Sequence, residues 1–308
     1  MTPSPDTPAC DKSACGSCTA CSDIPGVAAP PPPPPPTEAV TDDERLANRL
    51  SKIKRKILVM SGKGGVGKST VATNLAVHLM LSGQRVGLLD VDIHGPSVPG
   101  MLHLNDARVQ GDGESLLPLD YSTLKVMSIG FLLPASDDAV IWRGPMKMTL
   151  IRQFLQDVAW GELDCLVVDL PPGTGDEPLS ICQLATPVDG AVIVTTPQQV
   201  STADVRRSIR FCQKLKIPVL GVVENMSGFV CPGCGEVTHI FKTGGGERMA
   251  TEMAVPFFGR IPLAPSIGAA SDDGVPFICN QPPAESVQTF NNMAQAIQSL
   301  PPQKGDPS

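Results

Sequence analysis

The stretch Gly62-Lys63-Gly64-Gly65-Val66-Gly67-Lys68-Ser69-Thr70 fits the phosphate-binding pattern G-x-x-x-x-G-K-[ST]. Its glycines let successive backbone N–H groups turn inward around phosphate oxygens, at the positive end of the helix that must follow. Lys68 then faces the β- and γ-phosphates, and the Ser69 hydroxyl reaches Mg²⁺. The run Cys165-Leu166-Val167-Val168-Asp169 is apolar and ends in a carboxylate, so Asp169 is set to hold Mg²⁺ directly or through water. Gly173-Thr174-Gly175 beyond it can move with the γ-phosphate. Asp90-Val91-Asp92 closes a further apolar run. Asp92 is the candidate for polarising an attacking water, and Asp90 for a supporting role. These residues predict a protein that binds a nucleoside triphosphate together with Mg²⁺.

Six of the ten cysteines are grouped as ligands would be. Cys10, Cys15, Cys18 and Cys21 follow an x₄, x₂, x₂ spacing that resembles ferredoxin-type ligation, and four thiolates can complete a cluster within one chain. A zinc knuckle also uses four cysteines but separates two pairs by a longer loop. Cys231-Pro232-Gly233-Cys234 turns two sulfurs to one side and supplies half of a four-ligand site. A zinc site that recruits His239 competes with that reading, since thiolates accept both metals. A redox Cys-x-x-Cys fits less well, because no thioredoxin-like βαβ unit surrounds it. Cys165, Cys182 and Cys212 lie in apolar runs or helical stretches and read as small buried hydrophobes, with Cys279 ambiguous.

Positioning this chemistry requires strands that end at the nucleotide. Lys56–Ser61, Val86–Asp92, Leu124–Ile129, Cys165–Asp169, Gly190–Thr196 and Val219–Glu224 are short, nearly continuous apolar runs that suit strands covered on both faces. Helical stretches at Thr70–Met80, Lys147–Val158, Thr202–Leu215 and Ala284–Leu300 alternate with them. The expected fold is α/β: a doubly wound, mainly parallel sheet of the P-loop NTPase kind, over residues 51–300, followed by a disordered tail at 301–308. Residues 1–29 hold too few large apolar side chains for a core, and predict a flexible Cys-rich head that orders around metal. Residues 30–50 form a linker: Pro30–Pro36 favours a polyproline rod of roughly 20 Å, and residues 37–50, with Asp42, Asp43, Glu44 and Arg45 followed by Leu46 and Leu50, a short helix leading into the main domain.

The 308 residues carry a net charge of −7, with 4% aromatics, which argues against surfaces built for nucleic acid or anionic lipid. No leading basic-then-apolar segment and no run of membrane-spanning length occur, so a cytoplasmic protein is expected.

The second lysine of the loop, Lys63, makes it similar to the deviant Walker A group, which includes the nitrogenase iron protein and the partition and division-site ATPases of the MinD/ParA kind. That resemblance implies that Lys63 reaches across a dimer interface to the partner's nucleotide. Further segments resemble the Mrp/Nbp-type iron–sulfur cluster carrier ATPases: Asp92–Ser97, Trp142–Met146, Leu170–Asp176, Glu224-Asn225-Met226-Ser227, the Cys231–Cys234 unit and Phe241–Glu247, in order over roughly residues 50–300. This resemblance implies a homodimer that binds ATP and carries a [4Fe–4S] cluster bridged by Cys231 and Cys234 of two protomers, for delivery to apo-proteins. It places Asn225 near the adenine base. Where members usually have tyrosine before Gly-Pro-Ser, this chain has His94. Some carriers hold an N-terminal four-cysteine cluster at wider spacing than Cys10 to Cys21. A partition ATPase and a nucleotide-gated electron-transfer protein are the rival readings.

Overall fold

A computed structural model describes residues 41–93, 95–132, 144–280 and 282–301. Cys10, Cys15, Cys18, Cys21, the proline run, His94, Trp142, Arg143 and the 302–308 tail lie outside the described residues. A compact unit begins at Thr41.

The apolar runs become strands. In chain order these are β1 (Lys56–Ser61), β2 (Val86–Asp90), β3 (Gln110–Gly111), β4 (Leu116–Leu117), β5 (Leu119–Tyr121), β6 (Leu124–Ser128), β7 (Cys165–Asp169), β8 (Gly190–Thr195), β9 (Val219–Val230), β10 (Val237–Thr238) and β11 (Phe257–Leu263). The helices are α1 (Asp42–Leu50), α2 (Lys68–Leu81), α3 (Val98–Met101), α4 (Gly144–Gln156), α5 (Asp176–Leu184), α6 (Gln199–Lys214), α7 (Gly245–Glu252), α8 (Pro265–Asp272) and α9 (Ala284–Gln298).

The main sheet runs β10-β9-β8-β1-β7-β2-β6-β5, with β11 also on β9. It is parallel except at β5 and β10. Every residue of β1, β2, β7 and β8 is buried, as expected of strands covered by helices on both faces. The chain leaves β1 for α2 and returns at β2, with β7 inserted between them, so β1, β7 and β2 end side by side. Ligands of open α/β sheets bind outside such carboxyl ends.

α2 is buried nearly all round, including Thr73 and Asn74, and the Asn74 side chain accepts the Ile278 N–H at 3.0 Å. That fixes the helix whose N-terminus must face phosphate. In α9, Phe290, Met293 and Ile297 are fully buried, and Arg55 at the start of β1 donates to the carbonyls of Ile297 and Leu300. A cation thereby satisfies the orphan carbonyls at the helix C-terminus. α1 opens on a capping box between Thr41 and Glu44, and Leu46 and Leu50 bury its inner face.

Candidate functional site

The loop after β1 turns on Gly65 and Gly67, whose φ values of +75° and +79° belong to the left-handed region that glycine tolerates. Gly67 is also crowded: a Cβ there would collide with the Asn225 amide. Gly62 meets the backbone of Asp204 in the same way. Val66 is buried, while Gly64 and Gly65 are exposed, so the loop is anchored in its middle and at its ends with its arch open.

Lys68 opens α2 and is buried among acids. Its Nζ lies 2.6 Å from Asp169 Oδ1 and 3.5 Å from Asp92 Oδ2, and it donates to Ser69 Oγ at 3.2 Å. Burial pulls the Lys68 pKa down, and the charges of Asp169, Asp92 and Asp90 more than reverse it, so the ammonium is held above the usual lysine value. Asp169 is raised by its own burial, only partly countered by Lys68. Its second oxygen, Oδ2, is buried and has no hydrogen-bond partner. An orphaned carboxylate oxygen beside a serine hydroxyl, at the mouth of a phosphate loop, fits a hydrated Mg²⁺ held by Ser69 and Asp169.

Asp90 and Asp169 are direct neighbours in the β2–β7 register. Asp90 Oδ2 accepts the Ser128 hydroxyl at 2.9 Å and Oδ1 accepts the Asp92 N–H at 3.1 Å, so Asp90 shapes the turn that presents Asp92. Burial, then the Asp169 charge, pushes the Asp90 carboxyl up from 3.8 to about 7. An acid with a raised native pKa binds more protons folded than unfolded between those values, so its contribution to stability is lost as pH rises through that window. Asp90→Asn keeps both hydrogen bonds, with its amide donating to Ser128 Oγ, and removes the charge. The nucleotide-free variant is expected to gain about 2–4 kcal/mol at pH 8, with the gain shrinking towards pH 4.5. Urea unfolding at both pH values checks this; an equal gain at both, or a loss at pH 8, contradicts it.

Lys63 is half-buried, and its carbonyl accepts the Ser61 hydroxyl at 2.9 Å. Among the described residues its ammonium makes no ion pair. Asn225, on β9, donates to the Val66 carbonyl at 2.9 Å. Beside it a cleft of about 370 Å³ is lined by Gly67, Thr70, Met226, Phe229 and Leu263. Its mostly apolar walls next to the phosphate loop suit a nucleoside base.

Glu224, one residue earlier, carries no assigned role in the sequence reading, where it only ends a strand and opens a resemblance segment. It is fully buried, and its carboxylate accepts the Ser227 hydroxyl at 2.6 Å and the N–H groups of Gly244 and Gly246 at 3.0 and 2.6 Å. A charged residue directly after an apolar strand run was the signal available. Ser128 and the wall residue Phe229 were likewise missed, since a lone serine or phenylalanine carries no such signal.

Cys231 and Cys234 sit in the turn between β9 and β10. The Cys231 N–H donates to the Glu236 carbonyl and the Gly235 N–H to the Cys231 carbonyl, closing the turn at Gly235 with φ +74°. Backbone N–H groups of Gly233 and Cys234 donate to the Cys231 sulfur and hold its pKa below the ordinary thiol value, which favours the thiolate a metal needs. Val230, Val237 and Ile240 flank the pair and are exposed. Among the described residues no three metal-ligating side chains gather, so His239 does not complete a site with the two cysteines. Cys165, Cys182 and Cys212 are buried, with thiols pushed up to about 12, as inert core residues should be; Cys279 is exposed.

The family described as the NUBPL iron-transfer P-loop NTPase, of the ParA group, matches residues 52–298. The iron–sulfur cluster carrier protein of Methanocaldococcus jannaschii is 52% identical over 237 residues, 77% of this chain and 82% of its own. The cytosolic Fe-S cluster assembly factor NUBP2 of Gallus gallus is 49% identical over 262 residues, 83% of this chain and 96% of its own. Among solved structures, a nucleotide-binding protein of Archaeoglobus fulgidus in complex with ADP is similar at TM-score 0.68 and 46% identity, covering 77% of this chain and 92% of that one. The cell division ATPase MinD of Pyrococcus furiosus shares the fold at TM-score 0.59 and 23% identity, over 80% of this chain and 98% of its own.

Proposed function

The chain belongs to the NUBPL iron-transfer family of P-loop NTPases, and on that premise we propose that it is an ATP-hydrolysing carrier of [4Fe–4S] clusters, delivering them to apo-proteins in the cytoplasm. The observation that carries this reading is the course of β9. The strand touches the phosphate loop through Asn225, is tied to the Gly244–Gly246 turn through Glu224, and ends at Val230, directly before Cys231. Nucleotide and cysteines are thus joined by one continuous element. A MinD-type fold without this cysteine hairpin would serve partition equally well, so the hairpin is what favours cluster chemistry over that alternative.

In this reading Gly62 to Thr70 wrap the phosphates, Lys68 leaves Asp169 for the β/γ-phosphates, and Ser69 and Asp169 hold Mg²⁺. Freed of the Lys68 ammonium, Asp92 turns to the attacking water. Lys63 serves the partner protomer's nucleotide. Cys231 and Cys234 of two protomers supply the four thiolates for the cargo, and the exposed Val230, Val237 and Ile240 meet their copies around it. Cys10, Cys15, Cys18 and Cys21 hold a second cluster in a head that depends on its metal for order.

Anaerobic reconstitution with iron and sulfide tests this on the full chain and on residues 37–308. Both are expected to gain cluster absorbance and to activate an apo-enzyme. The shorter chain should remain a folded ATPase and lose only the iron assigned to Cys10–Cys21. Failure of both chains to hold a cluster would overturn the carrier reading.

A further inference from the structure

Lys56 opens β1 at the end of the sheet opposite the phosphate loop, and only 1% of it is exposed. Lysine is rarely buried so deeply without a partner. Among the described residues, however, its ammonium makes neither a hydrogen bond nor an ion pair. Asp189, the carboxylate whose charge it feels, accepts the Lys56 backbone N–H at 2.7 Å with one oxygen. Burial pulls the Lys56 pKa below the ordinary lysine value in spite of Asp189. A pocket of about 430 Å³ reaches this side chain. Its walls include Leu46 and Leu50 of α1 and Leu184 and Pro187 at the end of α5, and at its rim Arg152 is already paired with Asp43 at 2.7 Å.

We infer that this pocket binds a small monocarboxylate with an apolar tail, its carboxylate on Lys56 and its tail along Leu46, Leu50, Leu184 and Pro187. A buried cation is stabilised when an anion shares its low-dielectric surroundings. One cation, with Arg152 neutralised and Asp189 close by, matches a single negative charge rather than a phosphate dianion. The leucine and proline walls exclude a fully polar ligand, and the volume lies within the range of small-molecule sites. Because the pocket lies at the amino ends of the strands, it can be filled while nucleotide occupies the carboxyl ends.

The test is calorimetric titration of the full chain, saturated with Mg·ADP, with butanoate, hexanoate, octanoate and octanol. Affinity is expected to rise about four-fold per methylene. Octanoate should bind about ten-fold or more tighter than octanol, as a charge-assisted contact requires. Lys56→Met should erase that preference and keep octanol binding, and Leu184→Trp should block both ligands while ATP hydrolysis is unchanged. The inference is overturned if octanoate does not bind, binds no tighter than octanol, or binds only when ADP is absent. Should Lys56→Met fail to fold, the octanoate-to-octanol ratio and the Leu184→Trp result decide the matter.

Discussion

Lys68→Ala is expected to reduce Mg·ATP hydrolysis by at least about 100-fold, and to weaken nucleotide binding with it. The ammonium is the cation at the mouth of the loop, 2.6 Å from Asp169 and 3.5 Å from Asp92. Without it, phosphate charge would be brought towards those carboxylates and Asp90 with nothing to offset the repulsion. The same change should destabilise the nucleotide-free protein, since removing one partner of a buried ion pair costs about 3–5 kcal/mol. Asp169, already raised by burial, then takes up a proton, so the destabilisation should ease as the pH falls. Lys63→Ala provides the contrast. It should spare most of the affinity and the stability but slow turnover by about 10³–10⁵, if Lys63 acts across a dimer as arginine fingers do. Binding of a fluorescent ATP analogue, steady-state hydrolysis and urea unfolding separate the two variants. Wild-type hydrolysis by either would remove its assignment.

The physical logic of this site explains why much of it could be read from the sequence. The strands β1, β2, β7 and β8 are buried on both faces, so each is a nearly continuous apolar run, and a carboxylate at the end of such a run stands out. Asp90 and Asp169 were visible for that reason. β9 was legible only to Glu224, because Asn225, Ser227 and Gly228 break the apolar run; the strand continues to Val230 since Glu224, Ser227 and the Gly244–Gly246 turn satisfy one another. That closure is tertiary and leaves no local trace.

β11 was hidden by its own irregularity. Gly259, Arg260 and Pro262 interrupt the apolar pattern, and Gly259, at φ +141°, sits at a register shift where a Cβ would strike Thr289 of α9. The short hairpin β3–β4 carries exposed glutamine and glycine and too few residues for any periodicity. The cysteine pair was evident from its spacing. Its flanking apolar residues were not, because exposure is what distinguishes Val230, Val237 and Ile240 from the core.

If the cluster bridges two protomers as proposed, Cys231→Ala is expected to abolish it outright rather than halve it, while leaving ATP hydrolysis within about two-fold of wild type and any iron proposed at Cys10–Cys21 in place. In a two-fold dimer each substitution removes a ligand from both protomers, so two of the four thiolates vanish together. Nothing nearby can replace them, since no three ligating side chains gather among the described residues. The fold should be indifferent to the change: the turn is closed by backbone hydrogen bonds from the N–H groups of Cys231 and Gly235, which alanine preserves at position 231. Asn225 and the phosphate loop lie back along β9 and keep their contacts. Cys234→Ala should behave alike, since it removes a thiolate from each protomer in the same way. Iron and sulfide content, visible absorbance and hydrolysis rate, compared on the anaerobically reconstituted proteins, provide the check. Unchanged iron per dimer would rule out the bridging site. A parallel loss of hydrolysis would instead show that Cys231 supports the nucleotide site, contrary to the separation of cargo from chemistry along β9.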